Sequence, residues 1–216
     1  MSSEYEVIAK FAREKLHLKS IPADRWDLVM LVYEHFLAIR HEYDSLPMRG
    51  DKTSHPDLIR DLFIDLYHVA PNAKSFLELG VGTGYVLRAA LSLGYDAVGV
   101  EVVDEYVNDA RKILSDRGND PKKVIKADFL DDDFANRSLD GKQVKDFDVI
   151  HIWTLDDITF KATPRIVPHM KQGSYLLIGG FDQPFGNDDV NDDLISYNIP
   201  ARVEHSCRGQ FFLRRS

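Results

Sequence analysis

The sequence predicts an α/β protein: a doubly wound, mostly parallel sheet of seven strands, with an antiparallel pair at its C-terminal edge and a helical extension ahead of it. Three observations carry that expectation. From Ser75 onward, apolar runs of strand length alternate with helical patterns, which implies right-handed crossovers and a sheet covered on both faces. A glycine-rich turn, "LELGVGTGY" at 77–85, joins the first run to the first of these helices. Acids stand at the ends of the first three runs: Glu78, Glu101 and Asp128.

Residues 4 to about 70 read as helical. Tyr5, Ile8, Phe11 and Ala12 form one apolar stripe at helical spacing, and Trp26, Val29, Met30, Tyr33, Phe36 and Leu37 form a stronger one. Leu28, Leu31, Val32 and Ile39 extend the second almost all round, so that helix is expected to be covered on two sides. "DSLPMRGDKTSHP" (44–56) breaks the period and reads as a loop, after which Pro56 suits a first helical turn. Leu58/Ile59, Leu62/Phe63 and Leu66/Tyr67 then recur every four residues. The division expected is 1–48 as a helical extension, serving as a lid or an oligomer contact, and 49–216 as the main domain.

The strand-like runs are "SFLEL", "DAVGVE", "VIKAD", "FDVIHIW" and "SYLLIGGF", followed by "ARVEHSCR" and "QFFLRR" as the edge pair. Between them lie the helices "YVLRAALSL" and "DEYVNDARKIL", the latter with Val107, Ala110, Ile113 and Leu114 on one face. Pro164 and Pro168 predict that any helix in 157–172 is short or broken. The segment after Phe181 is acidic and irregular.

Composition narrows the function. A chain of 216 residues with 44% hydrophobic content has room for one good-sized core. A net charge of −8 argues against nucleic acid as partner. Cys207 is the single cysteine, which fits a reducing compartment. No apolar stretch approaches the roughly 20 residues of a membrane span, and no signal pattern opens the chain, so a soluble, cytoplasmic protein is expected.

The glycines bear on the ligand. A bare turn between strand and helix lets a ligand approach main chain without meeting a Cβ atom, and it aims the helix N-terminus at that ligand. Dinucleotide enzymes favour G-x-G-x-x-G, whereas here the glycines are Gly80, Gly82 and Gly84, and Tyr85 stands where the third would be wanted. Glu78 ahead of the turn would repel a pyrophosphate but suits an ammonium group. Glu101 is placed to accept ribose hydroxyls. Asp128 with Phe129 is placed to accept an exocyclic amine and cover a purine face. An amine, a ribose and an adenine without an essential phosphate describe S-adenosyl-L-methionine. Singly, each feature is as well read as a tight turn or a solvated strand end.

With these motifs the sequence resembles the class I S-adenosylmethionine-dependent methyltransferases over roughly residues 50–216, which implies a Rossmann-like fold. The resemblance implies a methionine-end loop of Glu78, Gly80, Val81, Gly82 and Gly84, a ribose site at Glu101 with Val102 beside it, and an adenine site at Asp128 and Phe129. It also implies that Trp153, at the end of the fourth strand, borders both cofactor and substrate. A narrower likeness, in "KTSHPDLIRDLFIDL", "GVE", "ADFL" and "HMKQGSYLLIGGF", is to the non-SET lysine methyltransferases of the disruptor-of-telomeric-silencing type. It places Thr53 near the methionine end. The sequence departs from that group where an asparagine pair is replaced by Trp153–Thr154.

Four acceptor classes follow. The proline-containing run of amino-methylating nucleic-acid enzymes is absent from "IWTLDD". A metal-dependent hydroxyl acceptor would use Asp156 or Asp157 with Asp182–Gln183. An amine acceptor, a protein lysine or a small molecule, is the primary expectation, with "DDD" (131–133), Asp156/Asp157 and the aspartates of 182–193 drawing in a cation. A small-molecule O-methyltransferase, with or without a divalent ion, is the rival, and an adenine-nucleotide-binding module is the rival outside the class. Trp153 and Thr154 are the candidate catalytic residues, with no resident metal. His151 reads as a hydrogen-bonded core histidine, and His205 and Cys207 lack a third ligand. Tyr85 packs on the methionine arm or on its own helix. The N-terminal helices are the expected site of homo-oligomer contact.

Overall fold

The computed structural model describes residues 4–41, 56–154, 156–179, 201–207 and 210–216. Three helices come first: α1 (Glu4–Glu14), α2 (Arg25–His41) and α3 (Pro56–Val69). Strand–helix alternation follows with β1 (Ser75–Leu79), α4 (Tyr85–Ser92), β2 (Asp96–Glu101), α5 (Asp104–Asp116) and β3 (Val124–Lys126). After β3 the crossover is made of short 3-10 turns instead of a helix, and leads to β4 (Val149–Trp153), α6 (Asp156–Ile166) and β5 (Tyr175–Gly179). β6 (Ala201–Cys207) and β7 (Gln210–Arg215) close the chain.

The strands lie in one mixed sheet in the order β3-β2-β1-β4-β5-β7-β6. β1 to β5 pair in parallel, and β7 pairs antiparallel with both β5 and β6. The order reverses direction between β1 and β4. In open α/β sheets the crevice beyond the strand ends at such a point is where ligands sit.

Register and alternation sort the side chains. Phe76 lies beside Ala97 and Val149, and Val149 beside Tyr175, so these residues share a face. That face packs with α1 to α5, through Phe11, Leu28, Phe36, Phe63, Val86 and Leu114 among others. Leu77, Val98, Ile150 and Leu176 form the opposite face and pack with Phe134, Leu139, Phe147, Ala162 and Ile166. Rings step across the first face: Phe36 stacks on Phe63 at 6.3 Å, Phe63 meets Phe76 at 5.8 Å, and Phe76 meets His151 at 6.0 Å. The N-terminal helices and the sheet therefore share one apolar cluster.

The expected faces of α1, α3 and α5 are the buried ones, with Ile8, Phe11 and Ala12, then Ile59, Leu62, Phe63, Leu66 and Tyr67, then Val107, Ala110, Ile113 and Leu114 inside. α2 differs. Leu28, Val32 and Phe36 are buried, whereas Met30 of the expected stripe is 51% exposed and Val29, Tyr33 and Leu37 are half-buried. A helix apolar on nearly every side offers its period no direction, and the four-residue ladder facing α3 wins. α6 runs 11 residues and contains Pro164. The proline falls in the last turn, where its missing N–H costs one hydrogen bond, and the chain then tightens into a 3-10 turn at Val167–His169. β3 stops at Lys126, short of Asp128.

The end of the sheet remote from the crevice is tied by Asp148. Its Oδ2 accepts from the amides of Lys74 at 2.9 Å and Ser75 at 3.1 Å and from the Ser75 hydroxyl at 3.0 Å, and Lys171 donates to its Oδ1. The Ser75 hydroxyl in turn accepts from the Asp148 amide at 2.9 Å, so β1 and β4 are locked in register where both begin. Burial pushes this carboxyl up, but the Lys171 ammonium and the Lys74 and Ser75 donors outweigh it and hold the pKa at about 2. A folded value below the unfolded one, about 3.9, gives stability that is complete above roughly pH 5 and is lost as pH falls through about 2. With the side chain 25% exposed, solvent screening leaves about 1–2 kcal/mol. Asp148→Asn is expected to lose that much in urea unfolding at pH 7, with the gap to the parent closing near pH 2.

Gly99 of β2 carries a packing constraint. A Cβ there would stand 2.3 Å from Val81 Cγ2 and 2.8 Å from Leu87 Cδ2, too close for any side chain. Gly99→Ala is expected to cost about 1–3 kcal/mol by overpacking, read as a lowered melting temperature, and to push Val81 out of the glycine loop.

Candidate functional site

The crevice at the β1–β4 switch point is built on the loop 80–84. Gly80, Gly82 and Gly84 have φ of +82°, +51° and +80°, a region L side chains rarely enter. The amides of Gly80 and Val81 donate to Val100 O at 2.9 and 3.1 Å, and Gly84 N–H donates to Val81 O at 2.8 Å. A Cβ on Gly80 would lie 3.1 Å from Thr154 Cγ2 and 4.0 Å from Phe129 Cε1. The loop is therefore the meeting place of the β3 and β4 ends. Gly84 opens α4 with no side-chain cap of its own, and the Leu87 amide in that first turn donates to Glu78.

Glu101 closes the loop from β2. Its Oε2 accepts from the Gly82 amide at 2.9 Å, and its Oε1 accepts from the amides of Val102 and Val103, each at 2.9 Å. The side chain is buried, not a solvated strand end. Val102 and Val103 beside it are 48% and 43% exposed, an apolar ledge next to a carboxylate.

Glu78 and His151 lie opposite each other on adjacent parallel strands and point to the same face. Both are buried, and Glu78 Oε1 stands 4.0 Å from His151 Nδ1. Glu78 Oε2 and both imidazole nitrogens lack a hydrogen-bond partner among the described residues. Burial pushes the Glu78 carboxyl well above the ordinary carboxylate range; the Leu87 amide works against this and the charge of Glu101 adds to it. Burial alone lowers the His151 pKa to about 3, so the ring is neutral. His151 is thus a core histidine as expected, but one without the hydrogen bonds such a residue ordinarily has. Its ring is held between Phe76, at 6.0 Å and 28°, and Trp153, at 6.1 Å and edge-on.

Trp153 covers the end of β5. A Cβ on Gly179, its neighbour in register, would fall 3.1 Å from the indole Cε3, so the ring lies on bare backbone. Thr154 follows, with its Oγ1 3.3 Å from Thr159 Oγ1, and the Thr163 hydroxyl donates to Thr159 O at 2.8 Å. The Thr154–Thr159 contact holds the start of α6 against the strand end, while the Thr163 bond lies within the helix. Phe129 is buried beside the loop, while Asp128 turns one oxygen to the Leu130 amide at 2.8 Å.

Glu78, Gly80, Val81, Gly82, Gly84, Glu101, Val102, Asp128, Phe129, Trp153 and Thr154 thus line up on the ends of four neighbouring strands. Tyr85 is buried in the core at the start of α4. The 131–133 aspartates are exposed but have cationic neighbours: Arg137 pairs with Asp131 at 2.9 Å and Asp133 at 2.8 Å, and Arg165 lies 3.7 Å from Asp132. Thr53 and the 182–193 aspartates, Asp182 and Gln183 included, lie outside the described residues, as do the side chains of Asp156, Asp157, His205 and Cys207. Among the described residues, no cluster of three or more histidine, cysteine or acidic groups is placed to hold a metal ion. None of the described helices is long and apolar enough to cross a membrane. The pairing of His151 with Glu78 and the Thr154–Thr159 contact were not anticipated. The one available signal was a polar residue inside each of two apolar strands.

No protein-family model matches the sequence, and no curated protein matches it. Solved structures do match by shape. An S-adenosylmethionine-dependent methyltransferase from Clostridium acetobutylicum aligns with a TM-score of 0.58 at 12% identity, over 84% of this chain and 99% of its own. A putative caffeoyl-CoA O-methyltransferase from Staphylococcus aureus aligns at 0.57 and 16%, over 88% and 98%. CalS10, an amino pentose methyltransferase from Micromonospora echinaspora solved with S-adenosylmethionine bound, aligns at 0.54 and 14%, over 93% and 100%. The chain has the α/β Rossmann-like fold of the class I S-adenosylmethionine-dependent methyltransferases, with a C-terminal antiparallel pair.

Proposed function

We propose that the protein is an S-adenosylmethionine-dependent methyltransferase that N-methylates an amine, with a protein lysine as the favoured acceptor. The observation that carries this reading is the convergence of Glu78, Glu101 and Phe129 on a loop of three left-handed glycines at the switch point of the sheet. The similar folds of an S-adenosylmethionine-dependent methyltransferase and of CalS10, which holds S-adenosylmethionine, support the cofactor.

The residues fit that cofactor. The buried, unpartnered Oε2 of Glu78 is an acceptor suited to an ammonium group. At Gly82 a Cβ would meet nothing within 4 Å, so the loop backbone there is open to a close approach. Glu101 next to the apolar Val102 suits a ribose joined to a purine, with Phe129 and Asp128 for the base. When bound, S-adenosylmethionine supplies a methyl group already activated on a sulfonium. The protein's share is to orient, exclude water and manage protons. Trp153 walls the end of β4 and excludes water where the acceptor arrives. Thr154, steadied by Thr159, offers a hydroxyl to orient a neutral amine. A lysine acceptor starts from a pKa of about 10.4, so the site must favour its unprotonated form, which an apolar indole wall does by desolvation.

Lysine is favoured on the likeness of the segments around the loop, and a sugar N-methyltransferase among the similar folds agrees with nitrogen as the target. Residues 1–48 are proposed as the lid or oligomer contact, with the exposed side of α2 around Met30 available for it. Calorimetric titration with S-adenosylhomocysteine and with NAD tests the cofactor: binding of the first alone is expected, and binding of NAD alone overturns the reading. Glu101→Gln should weaken S-adenosylhomocysteine by about 10–100-fold, as a charge-assisted hydrogen bond is lost. Methylation assays on lysine peptides with a chelator should proceed undiminished; loss of activity on chelation would favour a metal-dependent hydroxyl acceptor.

A further inference from the structure

We propose that Glu78 and His151 together form a proton-linked seat for the amino group of the cofactor: the carboxyl releases its proton to solvent as the ammonium docks, and the uncharged imidazole positions the resulting carboxylate through Nδ1. This rests on the cofactor assignment above and concerns residues of this chain alone.

The geometry carries it. Glu78 Oε1 and His151 Nδ1 are 4.0 Å apart, so a displacement of about 1 Å brings them to hydrogen-bond distance. Neither imidazole nitrogen nor Glu78 Oε2 has a partner among the described residues; the seat supplies one to Oε2 and one to Nδ1. The ring is kept from swinging away by Phe76 on one side and Trp153 on the other. The register of β1 and β4 sets the two side chains face to face, so the contact belongs to the sheet and not to a loop.

The charges around the carboxyl give the direction of the proton. Glu101 from β2 is a second carboxylate on the same face, His151 from β4 is neutral, and α4 contributes the Leu87 amide. On the helices packed over this face the buried cations are Arg88 on α4 and Arg60 on α3, the latter paired with Asp61 at 2.8 Å. A carboxyl out of water and near another negative charge holds its proton to higher pH than an ordinary one. An arriving ammonium reverses that preference. One O–H bond breaks, the proton leaves to buffer, and no other bond changes. His151 does not take the proton, because a buried imidazolium beside the ammonium would be repelled by it. It donates Nδ1–H instead, which makes it a positioning residue.

The test is calorimetry of S-adenosylhomocysteine binding to the full-length protein between pH 5.5 and 8.5, in buffers of different ionisation enthalpy. Expected are the release of up to about one proton per site and a Kd that falls by as much as about tenfold per pH unit on the acid side. Methylthioadenosine, which lacks the amino acid, should bind with no proton release and a flat pH profile. His151→Phe, which keeps the stacking, should weaken S-adenosylhomocysteine by about 5–20-fold and leave methylthioadenosine unchanged. Tight binding of S-adenosylhomocysteine with no proton release and a flat profile overturns the seat and leaves the cofactor assignment standing. Equal affinity in the His151→Phe variant overturns the positioning role. Failure to bind at every pH overturns the cofactor assignment and the seat with it.

Discussion

The three amides that donate to the Glu101 carboxylate hold the site together. One comes from Gly82 in the loop and two from Val102 and Val103 just past the end of β2, so a single side chain fastens the loop after β1 to the end of its neighbour. A loop with three glycines in left-handed conformations has much conformational entropy to lose, and this clamp, with the two amides donated to Val100 O, restrains it. Val81 is held in turn by the gap that Gly99 leaves on β2. Removing either restraint would free the backbone on which the crevice is built.

The two glutamates of the crevice divide the work by their partners. Glu101 accepts hydrogen bonds from three amides within the protein, so it fastens the loop before any ligand arrives. Glu78, one strand away and pointing to the same face, has an oxygen with no partner. The remote end of β1 is treated in the opposite way, since Asp148 there is saturated with donors and held in its charged form. Asp148, saturated with donors, anchors the strands at one end of the sheet, whereas at the other, Glu101 is paired within the protein and Glu78 keeps an unsatisfied oxygen. That contrast marks the crevice as a place of binding more sharply than burial does.

Much of this was legible in the chain. The alternation of apolar runs with helical patterns, the glycines at 80, 82 and 84, and the acids at 78 and 101 are local signals, and each has its cause within a few residues. The buried face of α2 was not legible, because a helix apolar all round points nowhere until α3 is placed against it. The Glu78–His151 contact depends on the register of β1 against β4, two strands separated by some seventy residues of sequence, and no local pattern encodes that offset. The pairing of the 131–133 aspartates was not legible for a related reason. Their partners, Arg137 and Arg165, are supplied by the fold of the crossover and by α6.

The indole lying on Gly179 gives the molecule a built-in optical probe. Trp153 and Trp26 are the only tryptophans, and the first sits edge-on to His151 at the mouth of the crevice. Its emission answers to water at that mouth and to the state of the neighbouring ring. In a chain stripped of Trp26, one fluorophore would record the filling of the crevice directly, with no label attached.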